Sequence, residues 1–270
     1  MNVCVIAPQS TGLVLGGVRM QALQTARNLP DFGINVTYYD PWNPPDWSET
    51  DLVHLFQANA STRQLAILLS DFEIPTVLSP VTFTNHSARF IKNSRKVEQL
   101  FKIITQGIWS DYSIIADCCH KASLILPNTS DEATLIERGY DVPASKIEII
   151  PNGVEARFAE ATPDLFYKTY GLQEYILYVG NIGTERKNAY RLLQALANMD
   201  DPTPAVLIGN IFDNAYGKRC RELADAHGHI HLIGEISHDD ELLESAYAGA
   251  RLFVLPGMFE TPGIAALEAA

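Results

Sequence analysis

The sequence has 270 residues, of which 47% are hydrophobic and 19% charged, a composition typical of a globular protein with two domains. Its 32 acidic and 20 basic residues give a formal net charge of −12 at pH 7. That charge repels a phosphate backbone or an anionic bilayer unless a local basic patch outweighs it, so nucleic acid is not expected as a partner.

Membrane and export signals are weak. The longest apolar runs, such as Val3–Ala7 and Leu252–Pro256, have the length of buried strands and are far shorter than the ~20 residues of a membrane-spanning helix. With no basic leader or signal-peptide core at the start, we expect a cytoplasmic protein without an integral membrane segment. The four cysteines fit neither a disulfide framework nor a C-x-x-C pair, which predicts reduced, mostly buried thiols.

Short β-branched runs alternate with helical patterns along the first 150 residues. The predicted strands are Val3–Ala7, Asn35–Tyr39, Leu52–Phe56, Thr76–Ser79, Ser123–Leu126 and Lys146–Ile150. Alternation of this kind favours parallel βαβ units. Thr129 and Glu132 have the spacing of a capping box, which predicts a helix start between them.

A second alternating series follows the turn signal Pro151-Asn152-Gly153 and a stretch with little strand character. We therefore predict two domains, at residues 1–165 and 172–270. The elements expected in the second are strands Tyr175–Val179, Ala205–Ile208, Ile230–Ile233 and Arg251–Leu255, and helices Ala189–Met199, Tyr216–His227 and Asp239–Ala248. The expected fold class is α/β with two Rossmann-like, doubly wound domains, and ligand is expected at the carboxyl ends of the strands, in the cleft between the domains.

The final segment, residues 255–270, carries the most informative chemistry. Pro262-Gly263 is expected to open a helix, because proline is tolerated in a first helical turn. The free amides of Gly263, Ile264 and Ala265 and the positive end of the helix dipole then form an anion site suited to phosphate.

Two carboxylates flank that predicted phosphate site. Glu268 can accept hydrogen bonds from a vicinal diol, and Glu260 on the preceding loop can reach a second hydroxylated group. This combination suits a sugar linked through a diphosphate to a nucleoside.

Glu260 and Glu268 have Glu-x7-Glu spacing, and with their flanking Phe-Val-Leu-Pro and Leu-Glu-Ala they resemble the retaining GT-B glycosyltransferases of the large "glycosyl transferases group 1" family. Further similar segments occur in the expected order, and the resemblance covers nearly the whole chain. These segments are Gly16-Gly17-Val18, Ile149–Val154, Leu177–Gly180, Arg186-Lys187-Asn188 and Ile233-Gly234.

The resemblance implies transfer of a hexose from a nucleotide diphosphate sugar to a carbohydrate or other hydroxyl acceptor with retention of configuration. It also implies a role in a pathway such as cell-surface polysaccharide biosynthesis. It implies no cofactor and no metal. Lys187 would neutralise the diphosphate, and Glu260 would contact the donor-sugar hydroxyls. The amides of Gly263 and Ile264 would hold the phosphate, and Glu268 the ribose.

The sequence departs from the family pattern at several places. Asn181 stands where an arginine usually pairs with the lysine, so Arg186 is the nearest candidate for a second diphosphate contact. The segment Leu78–Thr82 lacks the histidine that many members carry. His54, on the third strand, is a reserve candidate for a site role, although a buried, hydrogen-bonded structural histidine is the simpler interpretation.

The loop Ser10–Gly17 follows the first strand and opens a helix, so the backbone at Gly16 and Gly17 can approach a phosphate closely. We expect it to contact the donor diphosphate; the alternative is an ordinary flexible βα connection. His227, His229 and His231 alternate in the manner of metal ligands, but a structural role is favoured because no supporting cysteine or carboxylate has the right spacing.

Two other functions stay open from the sequence: a GT-B nucleotide-sugar epimerase, and a non-catalytic nucleotide-sugar-binding protein or fragment. The second domain is short for a doubly wound sheet, so we expect a C-terminally truncated chain that is inactive in isolation and self-associates.

Overall fold

The computed structural model describes residues 1–13, 16–102, 109–200, 202–260 and 263–270. The chain separates into two compact units, Met1–Asn152 and Gly153–Ala270. No helix in these ranges combines the length and the apolar character that crossing a bilayer requires.

The first unit is built on a five-stranded parallel sheet with the order β2-β1-β3-β4-β5. Its strands are β1 (Asn2–Ile6), β2 (Asn35–Tyr38), β3 (Leu52–Phe56), β4 (Thr76–Ser79) and β5 (Leu124–Ile125). The central strands are buried because both faces of a parallel sheet are covered by its crossover helices. These helices are α1 (Gly17–Asn28), α2 (Ala60–Asp71), α3 (Ala88–Lys102), α4 (Asp111–Lys121) and α5 (Ser130–Tyr140).

The predicted capping box at α5 forms only in part. Thr129 accepts a hydrogen bond from the amide of Glu132 at 3.1 Å, as expected of an N-cap. The Glu132 carboxylate, however, accepts from the amides of Asn128, at 2.8 Å, and Thr82, at 2.6 Å. The side chain therefore joins α5 to the loop after β4, a tertiary contact that the local spacing does not encode.

The predicted strand Lys146–Ile150 does not form as a strand. Residues Ala144–Lys146 make a 3₁₀ turn, and pairing with β5 is limited to one isolated bridge between Ile125 and Ile147. The amide of Glu148 still donates to the carbonyl of Ile125 at 2.9 Å, so the segment runs beside the short β5 without continuing the ladder.

The second unit contains a four-stranded parallel sheet with the order β8-β7-β6-β9. Its strands are β6 (Tyr175–Val179), β7 (Ala205–Ile208), β8 (Ile230–Ile233) and β9 (Ala250–Phe253). Its helices are α6 (Arg157–Glu160), α7 (Asp164–Tyr170), α8 (Ala189–Ala197), α9 (Ala215–Asp225), α10 (Glu241–Ala248) and α11 (Ile264–Ala269).

Residues 153–165, which the sequence analysis placed in the first domain, pack within the second unit. Phe158 is buried against Tyr247 with the ring centroids 5.5 Å apart, and Arg157 donates to Glu244 at 2.6 Å. A helix of four residues has no stability of its own, so α6 takes its place from these contacts with α10. Two successive α/β units with parallel sheets confirm the predicted fold class.

Candidate functional site

The loops that follow β6 and β9 meet because these two strands are neighbours in the sheet and end at the same edge. The amide of Met258 donates to the carbonyl of Arg186 at 3.1 Å, and the Arg186 guanidinium donates to the carbonyl of Phe259 at 3.0 Å. Asn188 adds a hydrogen bond to the carbonyl of Pro256 at 3.1 Å. Segments about 70 residues apart in sequence are thus held against each other.

These contacts bring Arg186, Lys187 and Glu260 together. The Lys187 ammonium lies 2.7 Å from Glu260 Oε1, and Arg186 lies 3.6 Å from Oε2 of the same carboxylate. The three side chains are 20%, 28% and 16% exposed for Lys187, Arg186 and Glu260, so the cluster is screened by water less than a surface pair is. One carboxylate faces two cations, so these three side chains together carry a net positive charge.

Gly257 makes room for the Glu260 carboxylate. A Cβ at this glycine would lie 2.6 Å from Glu260 Oε1, inside the contact distance of any side chain. The Glu260 carboxylate therefore packs against the backbone of Gly257, in the position where it contacts Lys187.

The loop that carries Arg186 and Lys187 begins after β6, where two glycines at the ends of β6 and β7 approach each other closely. Gly180 and Gly209 have φ values of +153° and +148°, and a Cβ at Gly209 would lie 2.0 Å from the Gly180 carbonyl. Only glycine fits such a position. Next to it, the Tyr178 hydroxyl donates to the main-chain carbonyl of Asn181 at 3.1 Å. Burial, reinforced by the nearby negative charge of Glu260, raises the pKa of Tyr178, so this hydroxyl keeps its proton.

Gly263 is the N-cap of α11, and Ile264 is its first residue. The Gly263 carbonyl accepts from the amides of Ala266, at 2.9 Å, and Leu267, at 3.3 Å. The amides ahead of these in a first turn have no acceptor within their own helix. Thr261 and Pro262, the latter predicted to open this helix, lie outside the described residues.

Glu268 lies in a different setting from Glu260. Its side chain is 6% exposed, and both carboxylate oxygens are engaged: Oε1 with His238 Nε2 at 2.9 Å, and Oε2 with the Tyr247 hydroxyl at 2.7 Å. Burial, with the Glu268 charge and hydrogen bond adding to it, raises the pKa of Tyr247, so the tyrosine donates to the carboxylate.

His238 has several charged neighbours besides Glu268. Arg157 approaches His238 Nδ1 at 3.3 Å and also donates to the His238 carbonyl, and Glu155 Oε2 lies 3.5 Å from the same nitrogen. Because a carboxylate can only accept, the hydrogen bond to Glu268 is donated by His238 Nε2. Sequence reasoning missed His238 and Tyr247. They lie 30 and 21 residues before Glu268, and no local spacing links them to it.

Gly16 and Gly17 belong to the first unit, where Gly16 is the N-cap of α1 and Gly17 its first residue. Both are exposed, and Arg19 ties the preceding turn to the helix by donating to the Thr11 carbonyl at 2.9 Å. Val14 and Leu15 of the same loop lie outside the described residues. Contact between this loop and a donor diphosphate stays a prediction.

Two buried polar side chains, His54 and Glu132, lie near the carboxyl edge of the first sheet. His54 bonds the Ser79 hydroxyl at 2.9 Å, and burial lowers the pKa of this histidine to about 4. Burial likewise raises the pKa of Glu132, against the opposing effect of its hydrogen bonds from Thr82 and Asn128. His54 is therefore buried and hydrogen-bonded, as the simpler interpretation expected, and it is uncharged at neutral pH.

The alternating histidines and the cysteines have the following contacts. His227 and His229 bond the main-chain carbonyls of Leu223 and Leu196 at 2.9 and 3.2 Å, respectively. In the part of the chain that the structure describes, no three metal-ligating side chains form a group. All four cysteines are free and buried, as predicted.

Known proteins provide an independent comparison. A family model described as glycosyl transferases group 1 matches residues 167–270. No sequence among the curated proteins matches the chain.

Several solved structures share the fold. A sucrose-phosphate synthase from Thermosynechococcus elongatus is similar over 99% of this chain and 78% of its own, at 16% identity and a TM-score of 0.74. HepE of Anabaena in complex with UDP-glucose is similar over 100% of this chain and 78% of its own, at 15% identity and a TM-score of 0.65. The catalytic domain of Arabidopsis thaliana starch synthase IV, bound to ADP and acarbose, is similar over 99% of this chain and 80% of its own, at 12% identity and a TM-score of 0.64. The fold is that of the GT-B glycosyltransferases, and residues 167–270 match the family model described as glycosyl transferases group 1.

Proposed function

We propose that this protein transfers a hexose from a nucleotide diphosphate sugar to a hydroxyl acceptor with retention of configuration. The observation that carries the proposal is the cluster of Arg186, Lys187 and Glu260 in a segment that matches the family model. Two cations beside one carboxylate suit a donor with a diphosphate at one end and sugar hydroxyls at the other.

Lys187 has the leaving-group role in this proposal. As the glycosidic bond breaks, negative charge accumulates on the departing diphosphate, and a fixed ammonium group stabilises that charge. Arg186 and the first-turn amides of Gly263 and Ile264 would add donors to the same phosphate oxygens. No cofactor is part of the proposal.

The 2.7 Å contact between Lys187 and Glu260 has a consequence for donor binding. An ammonium has three N–H donors, so Lys187 can keep this contact while a second N–H bonds a phosphate oxygen. Glu260 can turn its other oxygen toward a sugar hydroxyl. The ion pair would then align the two ends of the donor instead of being lost when the donor binds.

Glu268 has the ribose role, with His238 and Tyr247 as its supports. Each carboxylate oxygen has two lone pairs, so a vicinal diol can still bond an oxygen that already accepts from the protein. The two protein donors fix the direction of the remaining lone pairs. Asn181, in place of a cation, would contribute its amide to the same donor.

The proposal extends to a cytoplasmic enzyme that acts in cell-surface polysaccharide synthesis. The structural comparison supports the donor class of this proposal, because HepE of Anabaena was solved with UDP-glucose, a sugar donor of that class.

The test is a thermal-shift panel of UDP, GDP and ADP on the whole chain, followed by assays of nucleotide release with the corresponding sugar donors. A nucleotide at 100 times its dissociation constant stabilises the fold by about 2.7 kcal/mol. We expect one base to stand out and free nucleotide diphosphate to appear only when a hydroxyl acceptor is present. Absence of any shift contradicts the proposed donor class.

One structural neighbour favours a second candidate function. A UDP-GlcNAc 2-epimerase from Methanocaldococcus jannaschii shares the fold over 94% of this chain, with a TM-score of 0.55. An epimerase needs no acceptor, so nucleotide release or sugar interconversion without acceptor distinguishes it from a transferase. Tight binding without turnover under either condition would indicate a non-catalytic binding protein.

A further inference from the structure

Arg157, the first residue of α6, joins three segments of the second unit. Its Nη1 donates to Glu244 Oε2 on α10 at 2.6 Å, and its Nη2 lies 3.3 Å from Glu155 Oε2. Nη2 also donates to the main-chain carbonyl of His238, in the loop between β8 and α10. The Arg157 and Glu244 side chains are 25% and 17% exposed, so water screens this pairing less than it screens a surface ion pair.

The loop that carries His238 is closed by a local turn. The amide of Asp240 donates to the carbonyl of Ser237 at 3.1 Å, which places His238 and Asp239 at the centre of a four-residue turn. This hydrogen bond shapes the turn but does not attach it to α6. The Arg157 guanidinium makes that attachment, because it donates to the His238 carbonyl at the centre of the turn.

The His238 ring is contacted at both of its nitrogens. Nε2 donates to Glu268 Oε1 at 2.9 Å, and Nδ1 lies 3.3 Å from the Arg157 guanidinium. Glu155 Oε2 and Asp239 Oδ1 lie farther from Nδ1, at 3.5 and 3.8 Å. A ring that is engaged on both sides keeps one orientation, so Arg157 acts on Glu268 through a single intervening side chain.

We propose that Arg157 is a positioning residue for the ribose of a nucleoside diphosphate. Through His238 it fixes the direction of the Glu268 carboxylate, and a carboxylate that accepts from both hydroxyls of a vicinal diol depends on that direction. The inference rests on the proposed binding of a nucleoside diphosphate and does not depend on the transfer step. The part of the ligand that it concerns is the pair of ribose hydroxyls, as distinct from the base and the diphosphate.

The planar guanidinium is the part of Arg157 that this role requires. Its two terminal nitrogens point in fixed directions, one toward Glu244 and the other toward His238. A lysine ammonium is a single nitrogen on a flexible stem and cannot reproduce both directions. Arg157→Lys therefore keeps the positive charge but releases either His238 or Glu244.

A purely structural role for Arg157, in which it only holds α6 against α10, affects a different set of ligands. Loss of general stability lowers the folded fraction and so weakens the binding of every ligand alike. Loss of the Glu268 direction weakens the binding of ligands that have ribose hydroxyls and leaves other ligands unaffected. The two roles are therefore separated by comparing ligands with and without these hydroxyls.

The test is titration calorimetry of the whole chain and of Arg157→Lys with three ligands. These are the nucleoside diphosphate among UDP, GDP and ADP that binds most tightly, its 2′,3′-dideoxy form, and inorganic pyrophosphate. We expect Arg157→Lys to weaken ribonucleotide binding about 3- to 10-fold, as for the loss of one hydrogen bond. Its affinities for the dideoxy form and for pyrophosphate should stay within about twofold of those of the unmodified protein.

Arg63→Lys is the matched control. Arg63 donates to Asp117 at 2.7 Å and its side chain is 22% exposed, against 25% for Arg157, but it lies on α2 of the first unit. This variant should leave all three affinities unchanged. Urea unfolding measures the stability of both variants. The comparison of ligands stays decisive if Arg157→Lys lowers the unfolding midpoint, because a smaller folded fraction weakens all three equally.

Two results would overturn this inference alone. One is an unchanged ribonucleotide affinity in Arg157→Lys, and the other is an equal loss for all three ligands, which would leave Arg157 as a structural residue of α6. Failure of the unmodified protein to bind any of the three nucleotides contradicts the proposed function and this inference together. A loss confined to the ribonucleotide supports the inference even when no transfer to an acceptor is detected.

Discussion

The carboxyl edges of the two parallel sheets differ in how their polar groups are satisfied. In the first unit, His54 is paired with Ser79, and Glu132 is held by two backbone amides. Burial disfavours the charged form of both side chains, lowering the pKa of His54 and raising that of Glu132. The polar side chains at this edge are therefore buried and hydrogen-bonded within the unit.

The edge of the second sheet instead keeps separate charges close together. Lys187 and Arg186 both face Glu260, and the three side chains remain partly exposed. A charged ligand can bond to these groups without breaking a buried network. The difference supports the proposal that the second unit binds the diphosphate of the donor.

The largest expected effect tests the charged edge. Lys187→Ala should lower kcat by about 100- to 1000-fold, and donor affinity by less, because the ammonium stabilises charge that develops in the transition state. Steady-state kinetics with a saturating acceptor measure the split. Lys218→Ala is the control, since Lys218 pairs with Asp213 at 3.3 Å on the surface and is 62% exposed. A rise in KM alone would assign Lys187 to ground-state binding.

Next is the backbone that positions this edge. Gly209→Ala should destabilise the protein by about 3 kcal/mol or more, because φ at this residue is +148° and the new Cβ would overlap the Gly180 carbonyl. Gly228→Ala, in open space, should change the free energy of unfolding by less than about 0.5 kcal/mol. Urea unfolding of both variants makes the comparison, and equal midpoints would show that the two loops do not meet as closely as described.

The buried, uncharged His54 predicts a pH dependence. Between pH 6.5 and about 4, unfolded His54 binds a proton that the folded chain does not, so stability falls as pH falls through this window. The shift corresponds to at most about 3 kcal/mol of lost stability. Urea unfolding against pH should show a shallower acid decline in His54→Gln than in the unmodified protein. His86→Gln, at an exposed position, should leave the decline unchanged. Parallel curves for His54→Gln and the unmodified protein would contradict the neutral, buried state of His54.

A smaller effect concerns the assignment of Glu268. Glu268→Gln should weaken nucleoside diphosphate binding by about 1 to 3 kcal/mol through lost charge-assisted hydrogen bonds to ribose. Titration calorimetry with inorganic pyrophosphate, which has no ribose, should give the same affinity for both proteins. Glu241→Gln, at an exposed position on α10, is the control. An unaltered nucleotide affinity removes the ribose role.

The smallest effect concerns the support of that carboxylate. Tyr247→Phe removes the 2.7 Å hydrogen bond to Glu268 Oε2 and keeps the packed ring. We expect nucleotide affinity to fall by about 0.5 to 1.5 kcal/mol, with pyrophosphate affinity unchanged. If both affinities fall together, Tyr247 acts through general stability and not through Glu268.

Local sequence patterns are sufficient to predict some strands and not others. Strands such as Leu52–Phe56 and Tyr175–Val179 were predicted with the bounds that the structure has, because a buried parallel strand is a short apolar run that the chain itself displays. The segment Lys146–Ile150 is also rich in β-branched residues, but only a two-residue β5 is present beside it. Strand formation there depended on the length of the partner, which local composition does not contain.

For the candidate site, the sequence alone determined the residue types: a lysine and an arginine in one segment, and two glutamates at fixed spacing in another, one on a loop and one on the helix that follows. Only the tertiary structure decided their pairing. It placed Lys187 and Arg186 at Glu260 because β6 and β9 are adjacent, and it placed His238 and Tyr247 at Glu268. The physical reason is that spacing along one helix or loop constrains neighbours within a few residues. A hydrogen bond between side chains dozens of residues apart depends on strand order and helix packing, which the whole chain determines together.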